Sequence, residues 1–346
     1  MTKVPRRVCA IVPAYKVTNH IVEVVKELID KVDHVFVVDD ACPQQSGALL
    51  QPHFPAGHPS VTVLRLPENQ GVGGAVMAGY RLAAERGYEV LVKVDGDGQM
   101  DPAYIPALVE PILSGDADYT KGNRFFDPVT LASMPLARLI GNAGLSFLSK
   151  LSTGHWHVMD PTNGYTAIHA SVLPWVHLER VEKRYFFETD LLFRLGIVNA
   201  IVLDIPMPAR YGDEVSNLHI GQALFDFAGK HLVRTVKRIF YSYFLRGFSL
   251  ASVFLLTALP LLAFALLFGA YEWHRSIATG IPATAGSIML AALPGLVGIQ
   301  LVLSFFSLDM ANAPSKPLWV LLAGRKRRAW PDRLDSPASV ASTQAG

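Results

Sequence analysis

The sequence predicts an α/β domain with a mostly parallel sheet, followed by two helices that span a membrane. Short β-branched runs alternate with helical periodicity over residues 1–220, and polar residues follow several of these runs. Residues 248–310, in contrast, are mostly apolar. Only 17% of the 346 residues are charged, and the mean hydropathy of +0.29 is high for a soluble protein.

The strands and helices of the first part alternate along the chain. The predicted strands are Val8–Val12, which Pro13 ends, His34–Val38, Val61–Leu64 and Val90–Val94. The predicted helices are residues 19–31, capped by Asn19, and Gly71–Gly87. Such alternation implies a parallel sheet that is covered on both faces and binds ligands beyond the carboxyl ends of its strands.

Three polar segments lie at those strand ends: Pro13–Tyr15, Asp39–Asp40 and Asp95–Gln99. In the third, a buried strand ends in two carboxylates, Asp95 and Asp97, that are one residue apart. Oxygen ligands grouped in this way suit Mg²⁺ or Mn²⁺ with open positions for phosphate. An acidic turn without any ligand is the alternative, because Asp and Gly are common in turns.

The rim formed by these strand ends favours a nucleotide. Asp39 or Asp40 can accept a hydrogen bond from ribose or from a base, and Tyr15 can offer its ring to the base. The loop Asn69–Gly74 enters a helix, where free backbone N–H groups suit phosphate, although a tight turn explains the loop equally. The net charge of only +2 gives no field that favours nucleic acid. Cys9 and Cys42 form neither a disulfide framework nor a metal-ligand pattern.

Seven motifs then follow one another in order along residues 8–220. They are VPAY (12–15), VVDD (37–40), ENQGVGGAVMAGY (68–80), VKVDGDGQMDP (92–102), GNRF (122–125), DPTNGYTA (160–167) and FFETDLLFR (186–194). Together they resemble the family-two glycosyltransferases with a GT-A fold, and among these the polyprenyl-phosphate glycosyltransferases. Where that family usually has Tyr-Asn-Glu and Asp-Asp-Gly-Ser, this chain has Tyr15-Lys16-Val17 and Asp39-Asp40-Ala41-Cys42.

The resemblance implies a metal-dependent, inverting hexosyltransferase that moves a sugar from UDP- or GDP-hexose to polyprenyl phosphate. It implies a metal site of Asp95, Asp97 and Gln99 and acceptor-phosphate contacts from Arg124 and Arg210. It implies catalytic roles for Asp97, Asp160, Glu188 and Asp190. The nucleotide-sugar contacts that it implies are Pro13, Tyr15, Asp39, Asp40, Asn69, Gly71, Asp95 and Gly96. Two alternatives stay open. The arginines suit ordinary surface ion pairs, and acids are favourable at a helix N-terminus without any catalytic role.

The apolar half contains two uncharged segments that are long enough to cross a bilayer, Phe248–Ala270 and Ala285–Leu308. A pair of buried core helices is the alternative. Basic residues flank both segments, which predicts cytoplasmic flanks and an outward-facing linker that includes Tyr271–Arg275. The predicted parts are a cytosolic catalytic domain (1–220), a juxtamembrane amphipathic helix (221–247), two transmembrane helices (248–310) and a basic cytosolic tail (311–346) whose end is disordered.

Two stretches are predicted to be amphipathic helices at the membrane surface. One, within residues 222–247, carries Leu232, Val233, Val236, Phe240 and Tyr243 on one face and Lys230, Arg234 and Lys237 on another. The other carries an apolar stripe from Leu136 to Leu151, and either stripe suits packing on the globular domain instead. His155-Trp156-His157 lacks a third ligand for a metal, so a tryptophan near the membrane surface is the better interpretation.

These features predict a multi-pass protein of the inner or plasma membrane that acts in the cell envelope, and its amphipathic helix makes a homo-oligomer plausible. Two other functions are possible for such a sequence: a transferase acting on a sugar hydroxyl in polysaccharide or glycolipid synthesis, and a non-catalytic membrane adaptor on a transferase fold. The first leaves both apolar segments unexplained. The joint presence of Asp95, Asp97 and Gln99 argues against the second.

Overall fold

A computed structural model describes residues 7–126, 136–208 and 220–326 of the chain. Within these ranges one sheet of seven strands has the order β3-β2-β1-β4-β6-β5-β7. The strands are β1 (Val8–Ala14), β2 (His34–Asp39), β3 (Val61–Arg65), β4 (Val90–Lys93), β5 (Tyr119–Asn123), β6 (Thr166–His169) and β7 (Val202–Pro206). Strand β6 runs antiparallel to β4 and β5, and the other neighbouring pairs are parallel. The predicted mostly parallel sheet is thus confirmed.

Helices cover both faces of this sheet and continue beyond it. The described helices are α1 (Ile21–Leu28), α2 (Gly71–Glu85), α3 (Ile105–Ser114), α4 (Leu136–Thr153), α5 (Leu173–Val176), α6 (Phe187–Ile197), α7 (Ile220–Phe240), α8 (Leu250–Thr279), α9 (Ala285–Ala311) and α10 (Leu318–Lys326). Alternate residues of each strand point to opposite faces. Ile11 and Phe36 accordingly pack on the side of α2 and α6, while Val12 and Val37 pack on the side of α1 and α3.

Two boundaries near the N-terminus differ from the prediction. Strand β1 continues through Pro13 to Ala14. Proline has no backbone N–H to donate, and none is needed at this position because the neighbouring strand β4 has already ended at Lys93. Helix α1 begins at Ile21 after His20, which makes no side-chain capping bond, so the predicted Asn19 cap is wrong.

Helices α8 and α9 form a hairpin that is long and apolar enough to cross a membrane. In their most apolar windows only 17% and 11% of the residues are buried, which does not fit a pair of core helices. The chain turns at residues 280–284, and Tyr271–Arg275 is helical. The predicted linker therefore began about two and a half helical turns too early, while the second apolar helix begins at Ala285 as predicted.

Helix α7 turns most of its described basic residues toward the protein and a row of apolar residues outward. Leu232, Val233, Val236 and Phe240 are exposed as predicted, but Tyr243 is buried. Lys230 and Arg234 form ion pairs with Glu182, so they do not form the exposed basic face that the sequence predicted. Lys237 is exposed on this helix.

Helix α10 returns to the globular domain, in the region predicted to be a cytosolic tail. The buried Asp118 accepts hydrogen bonds from the backbone N–H groups of Leu318 and Trp319, both at 2.8 Å, and from that of Ile201. The Trp319 ring stacks on His169 with 4.4 Å between ring centroids. The residues after α9 therefore include a docked helix.

Two buried histidines are expected to make the fold sensitive to acid. Burial lowers the pKa of His155 and of His231 to about 4. An unfolded histidine titrates near 6.5, so the unfolded chain binds more protons between pH 6.5 and 4, and stability falls as the pH falls through this window. Lowering the pH from 7 to 5 should reduce the unfolding free energy by about 2 kcal/mol per histidine, measured by chemical unfolding in detergent. A His155→Phe variant with an equally steep pH dependence would contradict this assignment.

Candidate active site

A cavity of about 160 Å³ lies where the carboxyl ends of β4, β5 and β7 meet the start of β6. Its lining residues are Asp95, Asp97, Gln99, Met100, Asp101, Tyr104, Arg124, Thr162, Asn163, Gly164, Tyr165, Met207 and Pro208. Of the three strand ends predicted to carry a site, only the segment Asp95–Gln99 after β4 lines this cavity, and neither Pro13–Tyr15 nor Asp39–Asp40 does. Arg210, predicted to contact acceptor phosphate, lies outside the described residues.

Asp95 forms an ion pair with a buried lysine, Lys93, at the base of the cavity. Lys93 Nζ lies 2.8 Å from Asp95 Oδ1 and 3.5 Å from Glu188 Oε1, and the lysine side chain is 2% exposed. Burial alone would lower the pKa of Lys93, but the charges of Asp95 and Glu188 more than offset this and raise it above its usual value. Lys93 therefore stays protonated at neutral pH and compensates part of the negative charge of the site.

Asp97 and Gln99 form the outer part of the same turn. Asp97 Oδ1 accepts a hydrogen bond of 3.0 Å from the Gln99 backbone N–H, which shapes the turn, and both side chains line the cavity. Across the described residues no cluster of three His, Cys, Asp or Glu side chains could hold a metal ion. The oxygen donors of Asp95, Asp97 and Gln99 still fit Mg²⁺ or Mn²⁺, because such ions commonly take one or two carboxylates and complete their shell with phosphate and water.

Arg124 is fixed in the cavity wall by a fully buried carboxylate. Its Nε lies 2.8 Å from Asp160 Oδ2 and its Nη2 lies 3.1 Å from Asp160 Oδ1. A bidentate pair with one buried partner is not an ordinary surface ion pair. Asp160 itself does not line the cavity but holds Arg124, and its predicted catalytic role stays a prediction.

Lys121 positions the opposite wall. Its buried Nζ donates a hydrogen bond to the carbonyl oxygen of Asn163, and burial lowers its pKa to about 8. Sequence reasoning missed both Lys93 and Lys121. The available signal was a lysine inside each of two otherwise buried strands, where a charge is expensive unless it is paired.

Gly164 lets the chain pass directly over the pair of Lys93 and Asp95. A Cβ at this position would lie 2.3 Å from Lys93 Nζ and 2.8 Å from Asp95 Oδ2. The glycine thus keeps space open beside the carboxylate.

Replacing Gly164 with alanine should lower the unfolding free energy by about 1–3 kcal/mol, because the added methyl overpacks a buried charge pair. Thermal unfolding would measure this loss. Gly229→Ala is the matched control, since a Cβ there meets nothing within 4 Å on an exposed helix and should raise stability slightly. Equal stability of Gly164→Ala and the wild type would contradict the close packing.

The predicted nucleotide contacts at β2 have a different local role. Asp39 accepts hydrogen bonds from the backbone N–H groups of Cys42 and Gly47, and both Asp39 and Asp40 are buried. Asp40 accepts hydrogen bonds from Gln70 at 2.7 Å and Gly71 at 2.8 Å. These two backbone donors are therefore not free for phosphate, and a phosphate contact of the rest of the loop Asn69–Gly74 stays a prediction.

The other predicted nucleotide contacts lie around the end of β1. Tyr15 is 41% exposed, whereas Gly96 is buried, and a Cβ on Gly96 would lie 3.3 Å from the carbonyl oxygen of Pro13. Asn69 donates to the carbonyl oxygen of Asp40. Contacts of these residues with a nucleotide stay predictions.

The side chains of Glu188 and Asp190 point to different parts of the structure, although the two residues are only two positions apart. Glu188 faces Lys93 beneath the cavity. Asp190 is 1% exposed, and its carboxylate accepts hydrogen bonds from Arg194, from Arg234 and from the backbone N–H of Glu182. This carboxylate joins α6 to α7 and does not line the cavity, and the catalytic role of Asp190 stays a prediction.

Comparison with known proteins places this geometry in a family. Residues 9–174 match the family model described as Glycosyl transferase family 2. An undecaprenyl-phosphate mannosyltransferase of Micrococcus luteus is 33% identical over 204 residues, which are 58% of this chain and 82% of the relative. A UDP-N-acetylglucosamine–dolichyl-phosphate N-acetylglucosaminyltransferase of Methanococcus voltae is 30% identical over 187 residues, which are 51% of this chain and 74% of the relative.

Among solved structures, the glucosyl-3-phosphoglycerate synthase of Mycobacterium tuberculosis, in complex with Mn²⁺, UDP and glucosyl-3-phosphoglycerate, aligns with a TM-score of 0.47. Its sequence identity is 17%, and the alignment covers 68% of this chain and 80% of that chain. The family model covers β4, β5 and β6 of the cavity, whereas β7 lies beyond its last matched residue. The chain therefore belongs to glycosyltransferase family 2.

Proposed function

We propose that the chain transfers a hexosyl group from a nucleotide sugar to polyprenyl phosphate at a membrane surface. The observation that carries this proposal is the contact between a polar cavity and an apolar groove. Arg124 lines the cavity, and the next residue, Phe125, lines a groove of about 300 Å³. The groove residues are Phe125, Leu139, Asn142, Ala143, Ser146, Phe147, Lys150 and Met159.

This pair of surfaces suits an acceptor with a charged head and an apolar chain. The phosphate would lie near Arg124, whose guanidinium is suited to phosphate oxygens, and the first isoprenoid units would lie along α4. Phe147 is 55% exposed and Met159 is 47% exposed, so the groove presents apolar surface before any lipid arrives. The names of the relatives support a polyprenyl-phosphate acceptor, and they differ in the sugar, so we propose a hexose without choosing among hexoses.

A divalent metal, Mg²⁺ or Mn²⁺, is part of the proposal. Asp97 and Gln99 would hold it, with Asp95 contributing, although Lys93 already binds Asp95 Oδ1. When bound, such an ion would offset the charge of the departing nucleoside diphosphate. Lys93 keeps the Asp95 carboxylate in one orientation toward the cavity.

The acceptor needs little activation by the protein. A phosphate monoester has a second pKa of about 6, so it is a nucleophile at neutral pH. Arg124, held by Asp160, would orient the phosphate for attack on the anomeric carbon, and attack opposite the leaving group inverts the configuration. The buried groups beneath the cavity thus serve mainly for orientation and charge.

The C-terminal helices support a membrane location for this reaction. We propose that α8 and α9 both cross the bilayer, that the apolar face of α7 lies in its surface, and that both flanks are cytoplasmic, where nucleotide sugars occur. Lys237 is the exposed basic residue described on α7, which makes apolar burial more important there than charge. Self-association stays a prediction.

The test is incubation of the purified full chain in lipid vesicles with a panel of UDP- and GDP-hexoses. One arm contains polyprenyl phosphate and the other contains soluble sugars as acceptors. We expect a metal-dependent lipid-phosphate sugar in the first arm. Transfer only to sugar hydroxyls would overturn the acceptor assignment, and no turnover with any donor would favour a non-catalytic adaptor.

A further inference from the structure

A buried carboxylate near the end of α9 connects this helix to the globular domain. Asp309 is 4% exposed in its side chain. Arg238 donates two hydrogen bonds to it, from Nη1 at 2.7 Å and from Nη2 at 3.0 Å, and Trp156 Nε1 donates a third at 2.9 Å. The Tyr243 hydroxyl is a further donor. We call these four residues the Asp309 junction.

The three partners come from three separate parts of the fold. Arg238 lies in the last turn of α7, Tyr243 lies in the π-helical turn that follows, and Trp156 lies in the globular domain after α4. The Trp156 ring also packs edge-on against Phe306, one turn before Asp309. One carboxylate therefore fixes α9 relative to both the interfacial helix and the globular domain.

The chemistry of the junction favours a single arrangement. A charge at the end of a long apolar helix needs partners, and this one has a bidentate guanidinium and two neutral donors. A buried ion pair is weak evidence for stability, because desolvation offsets much of the attraction, but it strongly disfavours any arrangement in which one partner is unpaired. The junction thus acts on orientation more than on net stability.

The junction is connected to the proposed acceptor groove through α7. Arg238 Nε donates a hydrogen bond of 2.9 Å to the carbonyl oxygen of Leu151 in α4, the helix that lines the groove. One turn earlier, Arg234 binds Asp190 of α6. Any shift of α9 along the bilayer normal would therefore move α4 unless the junction broke.

We propose that the Asp309 junction holds the active-site cavity at the height above the bilayer where a membrane-embedded phosphate reaches Arg124. Its residues are positioning residues, since they touch neither cavity nor groove. This inference rests on the proposed function. It predicts that the junction is needed for an acceptor anchored in the bilayer and is dispensable for the same chemical group in solution.

The test compares two acceptors in vesicles with the full chain. One is a long-chain polyprenyl phosphate embedded in the bilayer, and the other is a short, water-soluble isoprenyl phosphate. Asp309→Asn should lower kcat/KM for the embedded acceptor at least tenfold and change kcat/KM for the soluble acceptor less than twofold. The affinity for the nucleoside diphosphate, measured by calorimetry, should be unchanged.

A milder variant and a matched control complete the design. Trp156→Phe keeps most of the ring packing and removes one hydrogen bond, so it should fold and show a smaller loss, about threefold, for the embedded acceptor alone. Glu272→Gln removes the carboxylate of another partly buried ion pair, with Arg275 at 2.6 Å, toward the opposite end of the hairpin. It should leave transfer to both acceptors unchanged.

Each outcome separates the inference from the proposed function. Equal losses for both acceptors in Trp156→Phe, or no loss in Asp309→Asn, would overturn the positioning role while leaving the function intact. A wild-type chain that transfers sugar to neither acceptor would overturn the function itself.

Discussion

Replacing Asp97 with asparagine is expected to reduce sugar transfer by about a thousandfold while the protein stays folded. Asparagine keeps the volume of the side chain and the oxygen that accepts the Gln99 N–H, so the turn should persist. It removes the negative charge that would hold a divalent cation beside the departing diphosphate. Steady-state kinetics would measure kcat/KM, and calorimetry with Mn²⁺ would measure metal binding without relying on turnover.

The control for this prediction is Asp116→Asn. Asp116 is an exposed acid that follows α3, and it is absent from the cavity lining. Its replacement should change neither kcat/KM nor Mn²⁺ binding. Full activity in Asp97→Asn, with metal binding intact, would refute the assignment of Asp97 as the principal ligand.

Replacing Arg124 with methionine should abolish transfer to the lipid acceptor and also lower the unfolding free energy by about 3 kcal/mol. The stability loss is expected because the Asp160 carboxylate is fully buried and would lose its charged partner. Because the Arg124 side chain is 33% exposed, we expect a loss of unfolding free energy at the lower end of the range for buried ion pairs. Chemical unfolding in detergent and transfer assays would measure the two effects.

A double variant separates these two roles of Arg124. Arg124→Met combined with Asp160→Asn removes both charges, so part of the stability should return while transfer stays lost. Arg180→Met is the surface control, because its pair with Glu179 is exposed on both sides and should contribute less than about 1 kcal/mol. A stable, inactive Arg124→Met single variant would show that Asp160 finds other compensation.

The strands and the cavity rim were predictable because their signals are local. A run such as Val90–Val94 has the length and β-branched content of a buried strand, and Asp95 and Asp97 follow its end directly. The carboxyl ends of parallel strands share one edge, so a site at the end of β4 followed from topology. The other cavity walls did not, because β5, β6 and β7 were not predicted as strands.

The buried lysines were not predictable, because each depends on a partner that is remote in sequence. Lys93 is explained by Glu188, which is remote in sequence and reaches it only because α6 packs against the sheet. Side chains two positions apart on a helix point in different directions, so Glu188 and Asp190 had to diverge. The sequence does not say which of the two faces the cavity, because that depends on the rotation of α6.

The docking of α10 has a consequence for how the protein is made. Asp118, at the start of β5, receives two of its hydrogen bonds from residues 200 and 201 positions downstream. During synthesis, residues 7–208 emerge before α10, so this carboxylate stays incompletely satisfied until α8 and α9 have followed them. In the proposed topology, maturation of the protein would be coupled to membrane insertion, and a chain that ends before α8 should be more prone to aggregation and proteolysis than the intact chain.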